Sequence, residues 1–265
     1  MKRGESLTST EDVLADPDYL TTRQGRRIAY HRTYGTGPGV VFLGGFASDM
    51  TGTKATHLES WCRERGQAFL RFDYSGHGAS SGAFEDGTIG AWAEDAAEAI
   101  TQLCEGPQVL IGSSMGGWIS LLMTKRIPEK VAGLITIAAA PDFMEDSYWA
   151  GFTDDKRAAL MSNGKIAVPS DYGDPYIITR AMIEDARAHL VLRELLPLSM
   201  PTRMLQGAAD SVVPVSRATQ LLDHVTGEDI RLVVLKGADH SFSSPEALKV
   251  LEDATLSVLN VLGSH

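Results

Sequence analysis

The feature that most restricts this chain is Gly112-Ser113-Ser114-Met115-Gly116-Gly117, which follows the apolar run Val109-Leu110-Ile111 and precedes a stretch with helical spacing. A strand that turns within a few residues into a helix brings its backbone close to its neighbours, and residues with little or no side chain tolerate that approach. The segment therefore predicts a strand, a tight turn and a helix, with Ser114 exposed at the carboxyl end of the strand. In open α/β sheets that end is where ligands bind.

The same unit recurs along the chain. Apolar runs at residues 28–34, 40–43, 68–72, 108–111, 131–139, 202–206 and 231–235 predict strands, while 57–65, 89–103, 114–125 and 245–262 carry helical spacing. Alternating strands and helices predict a parallel sheet with helices on both faces, because parallel neighbours need long crossovers. Residues 1–24 read as polar and aperiodic. Between Pro141 and Pro197 the alternation stops: no buried strand is predicted, and aromatic, acidic and Met residues mix with short helical stretches at 154–161 and 177–190. This segment, 142–196, reads as a small cap or lid inserted into a core of 1–141 and 197–265.

Composition narrows the partners. With 34 Asp and Glu against 24 Lys and Arg, the net charge of −10 repels phosphate backbones and anionic headgroups, so nucleic acid is excluded as a partner and any acidic substrate needs local positive charge. The two cysteines, Cys62 and Cys104, form no disulfide framework and no CxxC, which suits a reducing compartment. No apolar h-region follows Met1, and no run reaches the length of a membrane span. The expectation is a cytoplasmic protein without stable membrane insertion; a homodimer stays open.

A serine hydroxyl is a weak nucleophile until a base takes its proton, so Ser114 needs a histidine and an acid that orients it. Both follow in the order Ser, Asp, His. Asp210 sits in Gly207-Ala208-Ala209-Asp210-Ser211-Val212-Val213-Pro214 and His240 in Gly237-Ala238-Asp239-His240-Ser241-Phe242, each in a loop after a predicted strand. Asp239 competes for the acid and His77 for the base. Acyl transfer also needs two N–H donors for the oxyanion. Met115, after the nucleophile, supplies one, and the turn Gly44-Gly45-Phe46 supplies the other through Phe46. Gly45, Trp118, Phe143 and Trp149 are the expected substrate contacts, and Met144, Tyr148, Phe152 and Met161 of the cap are further candidates for an apolar pocket. The glycine-rich Asp73-Tyr74-Ser75-Gly76-His77-Gly78-Ala79-Ser80 lacks both phosphate-loop and dinucleotide spacing and reads as structural. The histidines have no metal-ligand spacing, and no cofactor is expected.

Taken together, Gly44-Gly45-Phe46, the Asp73–Ser80 turn, Gly112–Trp118, Asp210 with Val213-Pro214, and His240 resemble the α/β-hydrolase superfamily over nearly the whole chain. Met50-Thr51-Gly52-Thr53-Lys54-Ala55 and Arg71-Phe72-Asp73-Tyr74-Ser75-Gly76 resemble one branch of it, the acyl-protein thioesterases that also hydrolyse acyl glucuronides, with their bacterial relatives. The resemblance implies a mostly parallel eight-stranded sheet with helices on both faces and a small helical cap. It also implies a serine hydrolase acting on a small-molecule or acylated-protein ester or thioester, with Ser114, Asp210 and His240 in the roles above. A carbon–carbon bond hydrolase or perhydrolase, and a noncatalytic binding protein, share this fold and remain alternatives at this stage.

Overall fold

The protein is described by a computed structural model covering residues 16–170 and 173–263. Its sheet has eight strands: β1 (Asp18–Thr21), β2 (Arg27–Thr33), β3 (Thr36–Leu43), β4 (Gln67–Phe72), β5 (Gln108–Ser113), β6 (Val131–Ile137), β10 (Thr202–Gly207) and β12 (Ile230–Leu235). Their order across the sheet is β1-β2-β4-β3-β5-β6-β10-β12, antiparallel at the β1-β2-β4 edge and parallel from β4 onward. The central strand β5 is buried along its whole length, as a parallel strand covered on both faces must be.

Helices α1 (Thr53–Glu64) and α7 (Pro245–Gly263) cover one face, where Leu58, Trp61, Leu251 and Val258 pack on Val40, Val109 and Ile135. The other face carries α2 (Ile89–Leu103), α3 (Met115–Arg126) and α6 (Val215–His224), through Trp92, Ile100, Trp118, Leu122 and Leu221. Helix α3 is buried on every side from Met115 to Met123, the composition of a helix inside a core rather than on a surface. Helix α2 is capped by Thr88, whose side-chain oxygen accepts the Ala91 N–H at 3.2 Å.

Two local expectations change. Residues 18–21, within the stretch read as aperiodic, form β1 and pair with β2 from Asp18 opposite Tyr30 to Thr21 opposite Arg27; residues 1–15 lie outside the described residues. Helix α1 begins at Thr53, four residues before the predicted start, so Lys54 and Ala55 are helical.

The segment between β6 and β10 differs more. A π-helical turn, Met144–Trp149, leads to α4 (Asp154–Asn163), which ends at Gly164 with φ of 78°, a left-handed cap that favours glycine. The chain then forms an antiparallel ribbon of β7 (Lys165–Ser170) and β8 (Gly173–Thr179), followed by α5 (Arg180–Ala186) and a short 3₁₀ turn, Arg187–His189. The ribbon replaces the predicted helix start at 177. It was hard to see because exposed and half-buried residues alternate along β7, while Pro169 and Pro175 interrupt any strand-like run. The ends of the excursion are tied by Asp142, whose buried carboxylate accepts the N–H groups of Val191 at 2.8 Å and Leu192 at 2.9 Å. Burial pushes the Asp142 carboxyl above its ordinary pKa, and these two N–H donors oppose that shift. A two-residue parallel bridge of β9 (Leu196–Pro197) with β11 (Val225–Thr226) follows.

Candidate active site

Three strand ends converge on one cavity. Strand β5 ends at Ser113 and α3 starts at Met115, so Ser114 alone makes the turn, with φ of 54° and ψ of −116°. A non-glycine residue in this region carries strain that the surroundings must hold. Here the Ser114 N–H donates to Ile137 O at 2.8 Å, and its carbonyl accepts from Gly117 N at 2.9 Å and Ala140 N at 3.1 Å. The flanking glycines are required by space: a Cβ on Gly112 would lie 2.2 Å from Gly116 O, and one on Gly116 would lie 2.1 Å from Leu43 O.

His240, between β12 and α7, approaches Ser114 Oγ through Nε2 at 3.2 Å. Its Nδ1 lies 2.8 Å from Asp210 Oδ2, in the loop between β10 and α6. An ionised carboxylate can only accept, so Nδ1 carries the proton and Nε2 presents its lone pair to the serine hydroxyl. The Asp210 side chain is fully buried. Its Oδ1 accepts from Val212 N and Val213 N, both at 2.8 Å, and Oδ2 also accepts from Gln206 Nε2 at 3.1 Å. Burial by itself raises the pKa of this carboxyl, but the His240 hydrogen bond and the Val213 and Val212 N–H groups prevail and hold it below its ordinary value. The acid therefore stays charged at neutral pH.

The two competitors are engaged elsewhere. Asp239 Oδ1 accepts from Ser241 Oγ at 2.6 Å and Phe242 N at 3.2 Å. His77 is buried against Tyr74, Phe84 and Trp92, with Nδ1 3.2 Å from Ser75 O and Nε2 3.3 Å from Ala47 N. The preceding Asp73 carboxylate accepts from Met50 N at 2.6 Å and Ala79 N at 2.9 Å, so this turn ties two loops together.

The cavity beside Ser114 holds about 520 Å³ and is lined by Gly45, Phe46, Phe143, Tyr148, Tyr176 and His240, among others. Phe46 is its aromatic hub: its ring meets those of Phe84, Trp92, Phe143, Tyr148 and Tyr176 at centroid distances between 4.8 and 6.5 Å. Gly45 and Phe143 thus line the cavity. Trp118 does not line the cavity: it is fully buried behind Phe143, with its indole N–H donated to His189 O at 3.0 Å. Trp149 also lies outside the cavity wall, its ring covered by the guanidinium groups of Arg187 and Arg157. Of the other candidates, Met144 and Phe152 are buried in the core and Met161 is exposed.

Tyr176 and Lys54 line the cavity and were not singled out from the sequence. Tyr176 belongs to the unrecognised ribbon. Lys54, the second residue of α1, donates from Nζ to Ser241 O, and burial lowers its pKa from 10.5 to about 8. Its place soon after Gly44-Gly45-Phe46 was the available signal. Among the described residues no cluster of three or more His, Cys, Asp or Glu could hold a metal ion, and no helix is long and apolar enough to cross a membrane.

Comparison with known proteins agrees with this architecture. The profile of the Hydrolase_4 family, described as serine aminopeptidase, S33, matches residues 39–188. The chain is 35% identical over 239 residues to palmitoyl-protein thioesterase ABHD10, mitochondrial, of Mus musculus, covering 89% of this chain and 80% of the relative. The Homo sapiens protein of the same name is 35% identical over 226 residues, covering 84% and 74%. Among solved structures, one from Agrobacterium vitis S4 superposes with a TM-score of 0.88 at 36% identity, covering 92% of this chain and 98% of that one. The mouse alpha/beta hydrolase domain-containing protein 10 superposes with a TM-score of 0.86 at 32% identity, covering 94% and 100%. With its eight-stranded, mostly parallel sheet and a serine at the turn after the central strand, the chain belongs to the α/β-hydrolase superfamily, within the Hydrolase_4 family.

Proposed function

We propose that this protein is a serine hydrolase of carboxylic esters or thioesters, of the acyl-protein thioesterase, carboxylesterase or acyl-glucuronide esterase type, with Ser114 as nucleophile, His240 as base and Asp210 as the acid that orients it. The observation that carries this reading is the hydrogen-bond chain from Ser114 Oγ to His240 to Asp210, 3.2 and 2.8 Å long. In the first step His240 Nε2 takes the serine proton as Oγ attacks the acyl carbon, and the resulting imidazolium protonates the leaving oxygen or sulfur. In the second step a water, deprotonated by His240, attacks the acyl-enzyme and releases the acid. The N–H groups of Phe46 and Met115 stabilise the oxyanion in both steps. No cofactor takes part.

Residues 142–196 act in this proposal as a cap on a core of 1–141 and 197–265. Support comes from Phe143, Tyr148 and Tyr176, which line the same cavity as Ser114 and give it an aromatic wall suited to an apolar acyl group. The ABHD10 relatives are named palmitoyl-protein thioesterases, which favours a thioester of a long acyl chain, carried by a protein or a small molecule. Those relatives are also named mitochondrial; for this chain the cytoplasmic location read from its cysteines belongs to the same proposal.

The test is fluorophosphonate labelling, with initial rates on p-nitrophenyl esters from acetyl to palmitoyl, a palmitoyl thioester and an acyl glucuronide, for the wild-type and Ser114→Ala proteins. Labelling and turnover that both vanish in Ser114→Ala support the reading, and the preferred substrate chooses among the three types. A wild-type protein that is not labelled and turns over none of them sinks it.

A further inference from the structure

The two N–H groups assigned to the oxyanion belong to peptides whose carbonyls are each held by two donors. The Ser114 carbonyl accepts from Gly117 N at 2.9 Å and Ala140 N at 3.1 Å, all main chain. The Gly45 carbonyl accepts from Ser48 N at 3.3 Å and from the Ser48 hydroxyl at 2.9 Å. In a trans peptide the N–H points opposite to the C=O, so fixing the Gly45 carbonyl aims the Phe46 N–H the other way. The Phe46 N–H enters none of the main-chain hydrogen bonds of the described turns, and Gly45 lies against the nucleophile, a Cβ built there falling 3.5 Å from Ser114 Cβ.

The next peptide is held as well. Ala47 has φ of 54°, a strained value for a residue with a Cβ, and its N–H donates to His77 Nε2 at 3.3 Å. His77 can accept only if its proton sits on Nδ1, which faces Ser75 O at 3.2 Å. That carbonyl also receives the Trp92 indole N–H at 3.0 Å, while Ser75 N and Oγ donate to buried Asp95 at 2.9 and 2.6 Å. Burial lowers the His77 pKa, which keeps the ring an acceptor.

From this geometry we infer that Ser48 and His77 are positioning residues for the oxyanion hole: Ser48 sets the plane of the Gly45–Phe46 peptide and His77 pins the strained residue after it. Neither touches the reacting atoms. The inference rests on the hydrolase reading above, and it gives a role to two residues that the triad leaves unused. Ser48 is the informative one, because its hydroxyl is the side-chain partner among the four donors and it is exposed, so its removal disturbs no core packing.

A hydrogen bond that aims a donor affects the transition state more than the bound ester, because the oxyanion is where the charge develops. Removing an oxyanion donor outright costs about 10²–10³ in kcat, and loosening its aim in Ser48→Ala is expected to lower kcat roughly tenfold. KM is expected to stay within about twofold, since a ground-state carbonyl gains little from the donor. The Ki of a trifluoromethyl ketone carrying the same acyl group, which forms the oxyanion on Ser114, should rise in parallel with the loss of kcat/KM. Ser48→Thr, which keeps the hydroxyl, should restore most of both. His77→Gln, which keeps an acceptor near Ala47 N, should retain more activity than His77→Phe. The thermal midpoint of Ser48→Ala should match the wild type.

The rate of fluorophosphonate labelling, which builds negative charge on a phosphoryl oxygen in the same place, supplies a readout that requires no substrate. A wild-type protein that resists labelling overturns the hydrolase reading and this inference with it. Normal wild-type labelling with kcat/KM, ketone Ki and labelling rate all unchanged in Ser48→Ala overturns this inference alone. So does a fall in kcat with an unmoved ketone Ki, because that pattern is not a loss of oxyanion stabilisation.

Discussion

Asp210→Asn keeps the size and shape of the side chain and changes what it can accept. The carboxylate takes four hydrogen bonds, two at Oδ1 from Val212 and Val213 and two at Oδ2 from Gln206 and His240. An amide has one acceptor oxygen. If that oxygen turns toward His240, the NH₂ group faces two N–H donors 2.8 Å away, losing two charge-assisted bonds worth about 1.5–3 kcal/mol each. The preferred arrangement therefore keeps the oxygen on Val212 and Val213 and points NH₂ at Nδ1. His240 must then offer a lone pair at Nδ1 and carry its proton on Nε2, where it faces Ser114 Oγ as a donor rather than a base. The imidazolium formed during catalysis also loses its counter-charge. Together these effects are expected to lower kcat about 10³–10⁴-fold, or roughly 4–5.5 kcal/mol at 1.36 kcal/mol per decade. The assay is kcat and KM on the best p-nitrophenyl ester, with circular dichroism and the thermal midpoint as folding controls. A folded Asp210→Asn enzyme within tenfold of wild type refutes the assignment of the acid, as would an Asp239→Asn variant equally impaired.

Two further outcomes follow from burial. Lys54 forms no ion pair among the described residues; burial destabilises its charged form, outweighs the attraction of the Asp239 carboxylate and lowers its pKa from 10.5 to about 8, a cost of about 3 kcal/mol below pH 8. Allowing about 1 kcal/mol for the lost hydrogen bond to Ser241 O, Lys54→Met should stabilise the fold by about 2 kcal/mol at pH 7. The gain should shrink between pH 8 and 10.5, where the folded lysine is neutral while the unfolded one is still charged; thermal midpoints measured across that range that differ by a constant amount would contradict the burial argument. Gly116→Ala places a Cβ against the Leu43 and Gly44 carbonyls at 2.1 and 2.6 Å, main-chain atoms that cannot step aside. It should cost at least about 1–3 kcal/mol and lower the thermal midpoint by several degrees with loss of labelling at Ser114; a stable, reactive variant would show that the turn can open.

The chain's order of elements, the serine turn and the loops holding Asp210 and His240 could be read from residue spacing, because each is a local event at the end of one strand. Periodicity and glycine placement report local backbone geometry, and a parallel sheet brings the ends of successive strands to the same edge. Other features depended on contacts between segments distant in sequence. Trp118 and Trp149 have the composition of pocket residues, yet His189 and Phe143 bury one and two arginines cover the other. The β7–β8 ribbon carries a weak pattern because it is half-exposed, and it brings Tyr176 to Phe46 across 130 positions, with ring centroids 5.3 Å apart. The partners of Lys54 and His77 are set only by the fold, which places one against the carbonyl of Ser241 and the other against Ala47 N. Local sequence thus determined the type and order of most elements of the core and the residues at the strand ends. Tertiary structure decided which side chains face the cavity and which polar atoms hold the serine's surroundings in place, because burial and hydrogen-bond partnership are properties of neighbours in space.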